Sequence, residues 1–420
     1  MIVDFKNVQL VWPGAEEHNQ IISFRLDTEL GTRLAITEEK SDFIFEGKHH
    51  VICPGFCELD AQLKEPGLEN SESIQSGLDA ALAGGFTAVL AGPETTPCID
   101  NKPTVRFVIS EGQDHPVNLM VKGALTSGLA KEGLSELYDM YAAGARVFGQ
   151  NTQTQISTST LLKALQYCKS FGSRVFVSAN SLDLHKNGMV HEGLAHLHTG
   201  LKAIPELSET LNLDTFSELL EYTDASIHIA GISSQKGIEK IRQLKDRFPG
   251  KVSCDVPLWN LMFNESRVYD FDSNFKFFPP LRSEQDRKAL IGAVTEGIID
   301  CITTSHHPWE VEYKKVEFDL SEFGSISFQT AVAGFQKHLS KEMDITTFIT
   351  ALSINPRLVL GEETALFEEG NSFVCLNLEE AWTLNSGSNF SKSENTPFWN
   401  EDLKGKCVFS INKGMFALLN

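Results

Sequence analysis

Short β-rich runs alternate with amphipathic helical stretches from Val51 onward, and the alternation repeats about eight times. Examples are FTAVLAG after SIQSGLDAALAGG, RVFVSAN after STLLKALQYCKSFG, and DCITTSHHP after KALIGAVTEGII. Glycines mark several of the points where a helix should stop, among them Gly84, Gly144 and Gly172. Strands that alternate with helices predict a parallel sheet covered by helices, and about eight repeats predict a closed (β/α)₈ barrel.

Both ends of the chain have a different pattern. The N-terminal segment alternates apolar and polar residues (IVDFKNVQLVW), and the C-terminal segment returns to short strands and polar turns (NSFVCLNL, KGKCVFSINKG). We therefore predict an α/β protein with a barrel over residues 53–360. A small flanking β-sandwich domain should be built from residues 1–52 and 361–420. In such a barrel the functional residues lie at the carboxyl ends of the strands.

Composition narrows the classes of partner. The 420-residue chain carries a net charge of −20, which argues against binding to nucleic acids or anionic membranes, because these need Lys and Arg. No apolar stretch reaches the roughly 20 residues that span a bilayer, and the N-terminus does not resemble a signal peptide. The eight cysteines are scattered without a CxxC motif, which predicts free buried thiols. We expect a cytoplasmic protein.

The stretch PGFCELDAQLKEPG, from Pro54 to Gly67, contains the predicted first barrel strand and an unusual group of polar residues at its end. Glu58, Asp60 and Gln62 follow each other at a period of two, so on a strand they point to the same side. Polar side chains grouped in this way at a strand end are candidates for a functional site.

Several stretches of the chain resemble those of dihydroorotases, in the branch of the amidohydrolase superfamily that includes the multifunctional-complex type. PGFCELDAQLKEPG resembles that family's PGxxDxHxHLREPG, and AGGFTAVLAGPETTPCIDN resembles its GGFTTVxxMPNTxPxxD. HEGLAHLHTGLKAIPELSE, HIAGISSQKGIEKIRQLK and KFFPPLRSEQDRKAL also follow family patterns. The resemblance implies an amidohydrolase-type barrel that hydrolyses a cyclic amide reversibly, closing carbamoyl-aspartate to dihydroorotate in pyrimidine synthesis. It also implies one or two zinc ions that activate hydroxide.

At the family's metal and catalytic positions this sequence has other residue types. Asp60 and Gln62 replace the HxH pair, and a glutamine amide is a poor zinc ligand. Ser305 stands where the family has the aspartate that binds metal and moves the proton, and a serine has no carboxylate to accept it. The remaining metal positions hold residues that cannot replace the family's ligands: Gln150 and Asn151 at the bridging carboxylate, and Ser178 and Gly231 at two histidines.

The positions that bind substrate in the family have also changed. Lys64 replaces an arginine, and a lysine cannot make the bidentate contact that a guanidinium group makes with a carboxylate. Glu94 replaces an asparagine and would repel an acidic substrate. His306 or His307 could retain a contact with an anion. With Glu58, these positions are predicted to form a vestigial site that has no intact catalytic residue, no metal ligands and no cofactor. We therefore predict a catalytically inactive homologue.

Other interpretations of these residues stay open. Glu58 and Asp60 could hold one Mg²⁺ or Ca²⁺ through oxygen ligands. The histidines of HEGLAHLH suggest a metal site, but the spacing HExxxH differs from the HExxH that places two imidazoles on one helix face. The protein could also be an active dihydroorotase or another cyclic-amide hydrolase with an altered site, or a sensor that binds a ligand in the old pocket.

The favoured role is that of a structural or regulatory subunit. By resemblance, inactive dihydroorotase-like chains are associated with aspartate carbamoyltransferase, the preceding enzyme of the pathway, and we expect the same partner here. We also expect a homodimer, since closed two-fold assemblies are the commonest oligomers of soluble proteins.

Overall fold

The computed structural model describes residues 1–29, 32–34, 36–37, 40–150, 155–362 and 372–419, with residues 32–34 as backbone only. Two large sheets contain most of its strands. The strands, numbered in chain order, are β1 Ile2–Leu10, β2 Ile21–Asp27, β3 Thr32–Leu34, β4 Phe43–Glu46, β5 His50–Pro54, β6 Phe56–Ala61, β7 Phe86–Ala91, β8 Asn118–Gly123, β9 Ala145–Gly149, β10 Val175–Ser178, β11 Val190–His191, β12 Ala203–Ile204, β13 Ile227–Ala230, β14 Val252–Pro257, β15 Cys301–Thr303, β16 Phe373–Thr383, β17 Asp402–Asn412 and β18 Met415–Leu418.

Helices follow most of the strands of the second sheet. The α-helices are α1 Ile74–Ala83, α2 Lys102–Glu111, α3 Leu137–Ala143, α4 Thr158–Ser170, α5 Leu194–Thr199, α6 Leu207–Thr223, α7 Gln235–Arg247, α8 Leu258–Met262, α9 Glu284–Thr295, α10 Val311–Lys314, α11 Ala331–Gly334, α12 Ile345–Ile349 and α13 Asn355–Val359. Two π-helical segments, Phe335–Leu339 and Thr350–Ile354, continue α11 and α12, and 3₁₀ turns lie at Ser127–Leu129, Leu182–Leu184, Glu265–Val268, Ser273–Phe275 and Phe328–Thr330.

The barrel consists of eight strands in the order β6-β7-β8-β9-β10-β13-β14-β15, and every neighbouring pair is parallel. The ring closes just beyond β15. There Gln62 N donates to His306 O (2.9 Å) and His306 N donates to Asp60 O (3.1 Å). The predicted (β/α)₈ barrel is confirmed, and its closure places the end of β6 beside the loop after β15.

Local sequence explains why these segments take up their elements. All six residues of β7 (FTAVLA) are buried, as expected for a strand of a parallel barrel with both faces covered. Helix α1 begins with a capping box, in which Ser73 Oγ accepts from Ser76 N and Ser76 Oγ accepts from Ser73 N. Helix α7 begins with a simpler N-cap at Ser234, whose side chain accepts from Gly237 N. These caps fix the helix starts that follow the barrel strands.

The other large sheet joins the two ends of the chain. Its order is β3-β2-β1-β5-β16-β17-β18, and β4 pairs with β1. The antiparallel pair of β5 with β16 connects N-terminal to C-terminal strands. A core of phenylalanine rings packs within this sheet, with Phe5 stacked on Phe24 at 4.7 Å and edge-on to Phe409 at 5.5 Å. The predicted β-domain built from both termini is thus confirmed as a fold feature. No helix among the described residues has the length and apolar character needed to cross a membrane.

Candidate functional site

Glu58, in the middle of β6, is fully buried and bonded on both carboxylate oxygens. Thr304 donates to Oε2 from its backbone N (2.8 Å) and from its hydroxyl (2.6 Å), and Asp60 N donates to Oε1 (2.8 Å). Burial raises the pKa of Glu58 to about 8, and these hydrogen bonds oppose the rise. Glu58 therefore ties β6 to the chain that follows β15.

Asp60, near the end of β6, is held between two cationic or potentially cationic groups. His307 Nε2 lies 3.3 Å from Oδ2, and Lys122 Nζ lies 4.0 Å from Oδ1. Burial acts to raise the pKa of Asp60, but His307, Lys122 and the Ser305 hydroxyl outweigh it and hold that pKa well below its ordinary value. The one carboxylate at this strand end that is partly open to solvent is thus an anion with its charge already compensated.

Lys122 was not identified from the sequence. It lies on β8, is 5% exposed, and directs Nζ to 3.5 Å from the carbonyl oxygen of Leu59 and 5.5 Å from the centre of the Phe176 ring. The signal was present in VNLMVKGAL, where one lysine interrupts an otherwise apolar barrel strand. A buried lysine needs a partner, so such an interruption predicts a carboxylate close by.

Gln62 and Lys64 form a second contact at the exit of β6. Lys64 Nζ donates to Gln62 Oε1 (2.6 Å) and lies 3.6 Å from the centre of the Trp309 ring. Burial lowers the pKa of Lys64 to about 8, while the charges of Glu94 and Glu322 oppose this decrease. The carboxylates of Glu94 and Glu322 are thus close enough to Lys64 to favour its charged form.

The two histidines after β15 point to different partners. The buried ring of His306 stacks on Phe328 at 4.1 Å, accepts a hydrogen bond on Nδ1 from Ser327 N (3.1 Å), and places Nε2 3.5 Å from Glu72 Oε2. Burial lowers its pKa. The contact with Asp60 comes from His307 instead. Ser305, before them, has a φ of 50° and its hydroxyl lies 3.3 Å from that of Thr303.

Gly231 lies in a turn organised by a buried carboxylate. Its φ is 77°, a left-handed conformation that favours glycine, and its N donates to Asp255 Oδ1 (2.8 Å). Asp255 Oδ2 lies 2.9 Å from His228 Nε2, and His228 Nδ1 lies 2.9 Å from Ser253 Oγ. Sequence reasoning missed this buried pair, although His228 and Asp255 each stand alone in an apolar strand.

Gln150 and Ser178 lie apart from these contacts, at the ends of β9 and β10. They line a cavity of about 120 Å³, together with Asn180 and residues of α6. Asn151 lies outside the described residues. The structure thus places Ser305 and His307 near the carboxylate of Asp60. Gln62 accepts from Lys64, which is also influenced by the charge of Glu94. Gln150 and Ser178 line the cavity. Glu58, Gly231 and His306 have separate partners.

The histidines of the HEGLAHLH stretch have separate partners and do not converge on one point. His191 Nδ1 lies 3.1 Å from Arg282 Nη1, His196 Nδ1 lies 2.6 Å from Leu201 O, and the His198 ring packs on Tyr269 at 4.6 Å. Within the described ranges, no three or more His, Cys, Asp or Glu side chains are grouped so that they could hold a metal ion.

Comparison with known proteins gives consistent matches along the chain. A family model described as dihydro-orotase-like matches residues 49–237. A dihydroorotase of Acetivibrio thermocellus is 33% identical over 393 residues, which cover 92% of this chain and 91% of the relative. A dihydroorotase of Desulforapulum autotrophicum is 31% identical, with 99% and 98% covered.

Solved structures agree on the fold. An L-hydantoinase (dihydropyrimidinase) of Arthrobacter aurescens superimposes with a TM-score of 0.82 at 17% identity, covering 99% of this chain and 96% of that one. A dihydropyrimidinase of Brevibacillus agri superimposes with a TM-score of 0.78 at 16% identity, covering 100% and 95%. At this level of identity the likeness concerns the fold alone.

Proposed function

The chain belongs to the dihydroorotase family, and we propose that it is a non-catalytic member that serves as a structural or regulatory subunit for aspartate carbamoyltransferase. One observation carries the proposal: the ammonium of Lys122 stands 4.0 Å from Asp60, the single carboxylate left at the former HxH positions. An ammonium at this distance repels a divalent cation that would need the same oxygens. At the strand end that binds zinc in the family, the negative charge of Asp60 is balanced here by the protein's own Lys122 and His307.

The zinc ion implied by the family does not fit the donor set of this chain. Zinc is bound by imidazole nitrogens, thiolates and carboxylates. Of the residues at the family's positions, Gln62 offers an amide oxygen that already accepts from Lys64, and Gly231 offers no side chain. Asp60 alone remains, and one ligand does not make a zinc site.

Acid–base chemistry also lacks a suitable group. Ser305 has no carboxylate to accept a proton at neutral pH. Glu58 is fully buried and accepts from Thr304 and Asp60 on both oxygens, so it does not reach a substrate. His307 faces the anionic Asp60. An altered hydrolase would need a general base among Asp60, Glu94, His306 and His307, and the contact between His307 and Asp60 makes those two residues the first test of the alternative function.

The proposed partner follows from the family and from what this chain has kept. The barrel is closed and the described strands of both termini join in one sheet, while the residue types needed for hydrolysis are replaced. In this family, inactive chains are associated with aspartate carbamoyltransferase. A protein that keeps its fold and loses its chemistry suits a role in which its surface holds an assembly together.

An activity assay tests the non-catalytic part. The purified protein, with and without added Zn²⁺, is assayed with dihydroorotate at high enzyme concentration, and the Acetivibrio thermocellus dihydroorotase serves as positive control. We expect no turnover above the background rate. Turnover that is abolished by both His307→Ala and Asp60→Asn would instead establish an altered hydrolase.

The partner is tested separately, by light scattering during size-exclusion chromatography. The protein is mixed with purified aspartate carbamoyltransferase from the same organism at equal micromolar concentrations. We expect a peak of higher mass that contains both chains. Two separate peaks would reject the subunit role and leave the result of the activity assay untouched.

A further inference from the structure

Residues 309–324, which follow the last barrel strand β15, form a segment with several exposed apolar side chains. Helix α10 lies near its start, and a turn in which Leu320 N donates to Glu317 O (3.0 Å) lies near its end. Large apolar side chains that are more than a third exposed occupy four of the ten positions from 311 to 320, namely Val311, Tyr313, Val316 and Leu320. One exposed apolar residue needs no explanation, but several within a short segment indicate a candidate interaction surface.

Two buried lysines, Lys276 and Lys314, hold the backbone of the 309–324 segment from the inside. Their ammonium groups donate to five carbonyl oxygens of the segment at 2.6–3.2 Å, those of Phe318, Asp319 and Ser321 for Lys276 and those of Glu322 and Gly324 for Lys314. Hydrogen bonds from a charged donor are stronger than those between neutral groups. The backbone is therefore already ordered, and a partner that binds the segment does not have to order it.

Trp309 fixes the start of the same segment. Its backbone N donates to Asn395 Oδ1 (3.1 Å), and its indole Nε1 donates to the carbonyl oxygen of Phe323 (2.8 Å), near the other end of the segment. The ammonium of Lys64 lies 3.6 Å from the centre of the Trp309 ring. Lys64 stands at a position that binds substrate in the family, and in this chain it contacts the base of the 309–324 segment.

The exposed charges of the segment are mostly negative. Glu312, Glu317 and Asp319 are exposed carboxylates, and Lys315 is the one exposed ammonium of the segment. Within the described ranges, none of these four groups has an ion-pair partner within 4.0 Å. A surface that combines apolar side chains with unpaired carboxylates fits a partner surface that carries Lys and Arg around an apolar centre. A second copy of this chain, with a net charge of −20, would meet the same carboxylates with like charge.

We propose that the 309–324 segment is the surface through which this protein binds its partner subunit, at a site on the partner that is apolar in the centre and basic at the rim. This inference rests on the subunit role proposed above. Tyr313 and Leu320 supply the apolar contacts, and Glu312 and Glu317 face the Lys and Arg side chains of the partner. Tyrosine is one of the residue types that contribute most to the affinity of protein interfaces, so Tyr313 is the residue to change first.

Calorimetric titration of the full-length protein with purified aspartate carbamoyltransferase from the same organism tests the surface. Tyr313→Ala should weaken binding by about tenfold or more. Tyr222→Ala, the same change at a more exposed tyrosine of α6, should leave the affinity unchanged. The double change Glu312→Lys and Glu317→Lys should also weaken binding by about tenfold, and more at low salt than at high salt. Glu218→Lys, a charge reversal at an exposed position of α6, is the matched control.

The outcomes separate this surface from the subunit role itself. If the wild type binds, and Tyr313→Ala and the charge-reversed variant bind equally well, the surface is rejected and the subunit role stands. If the wild type does not bind, the subunit role is rejected and this surface with it. Light scattering of the protein alone tests a second copy as the occupant. A dimer that dissociates in Tyr313→Ala and persists in Tyr222→Ala would show that the segment joins two copies of this chain, and would overturn the proposal.

Discussion

Lys122 Nζ lies 4.0 Å from Asp60 Oδ1, although the two residues belong to strands β8 and β6, which β7 separates in the barrel. His307 approaches the other oxygen of the same carboxylate, at 3.3 Å. The end of β6 thus contains an internal contact of opposite charges. The consequences for stability, metal binding and pH dependence can be measured separately.

The contact between Lys122 and Asp60 should contribute to stability. Lys122→Met keeps most of the side-chain length but removes the charge, so Asp60 loses a partner in a largely buried environment. We expect the free energy of unfolding in urea to fall by about 1–3 kcal/mol. Lys131→Met is the control, because Lys131 contacts Asp183 at 3.9 Å on the exposed surface, and it should change stability by less than about 0.5 kcal/mol. Equal effects of the two changes would contradict this assignment.

Gly231 has a backbone conformation that disfavours every residue type with a side chain. At a φ of 77°, any residue with a Cβ is strained. Gly231→Ala should lower the free energy of unfolding by about 1–2 kcal/mol. In contrast, Gly292→Ala lies within helix α9 with open space around the new methyl group and should be neutral or stabilising. A neutral Gly231→Ala variant would show that the turn adapts without strain.

Asp255 should be a structural residue of the barrel end. Its two oxygens serve Gly231 N and His228 Nε2, and it is 2% exposed. Asp255→Asn cannot serve both partners equally, so we expect a loss of about 2–4 kcal/mol in the free energy of unfolding. The exposed Asp214→Asn, which removes a surface contact with Lys240, should cost less than about 0.5 kcal/mol. An Asp255→Asn variant as stable as the wild type would mean that the buried pair has no structural role.

Glu58 should make stability depend on pH. Its pKa in the folded protein is about 8, above its ordinary value of 4.5, so the folded state binds the proton more tightly. The stabilisation is fully present below about pH 4.5 and is lost as the pH rises through 8. Glu58→Gln is neutral at every pH, so the stability of the wild type relative to this variant should fall from pH 5 to pH 8, by up to about 1.4 kcal/mol per pH unit. Urea unfolding at four pH values measures this difference.

The control for this experiment is Glu312→Gln, which removes one negative charge from an exposed position. A difference between wild type and Glu58→Gln that stays constant from pH 5 to pH 8, or that matches the control, would show that Glu58 is already ionised throughout this range.

The fold followed from the sequence because its signals are local. The spacing of apolar residues in SIQSGLDAALAGG indicates a helix, and the apolar run FTAVLAG indicates a buried strand. A chain that repeats this alternation favours a barrel. The period of two at Glu58, Asp60 and Gln62 correctly located a group of polar side chains, but not their partners. Lys122 lies about 60 residues from Asp60, and Thr304 about 250 residues from Glu58, so these contacts depend on the register of distant strands. The single charges in apolar strands were the one available signal.

Metal content, determined by elemental analysis after dialysis against a slight excess of Zn²⁺, distinguishes a chain without a zinc site from one that binds zinc at the end of β6. Lys122 and His307 compensate the charge of Asp60, and the other family ligand positions offer amide or hydroxyl groups or no side chain, so we expect far less than one zinc per chain. The Acetivibrio thermocellus dihydroorotase, treated in parallel, is the positive control. Close to one or two zinc ions per chain, retained after dialysis and lost in Asp60→Asn, would contradict this expectation and place a working metal site at the end of β6.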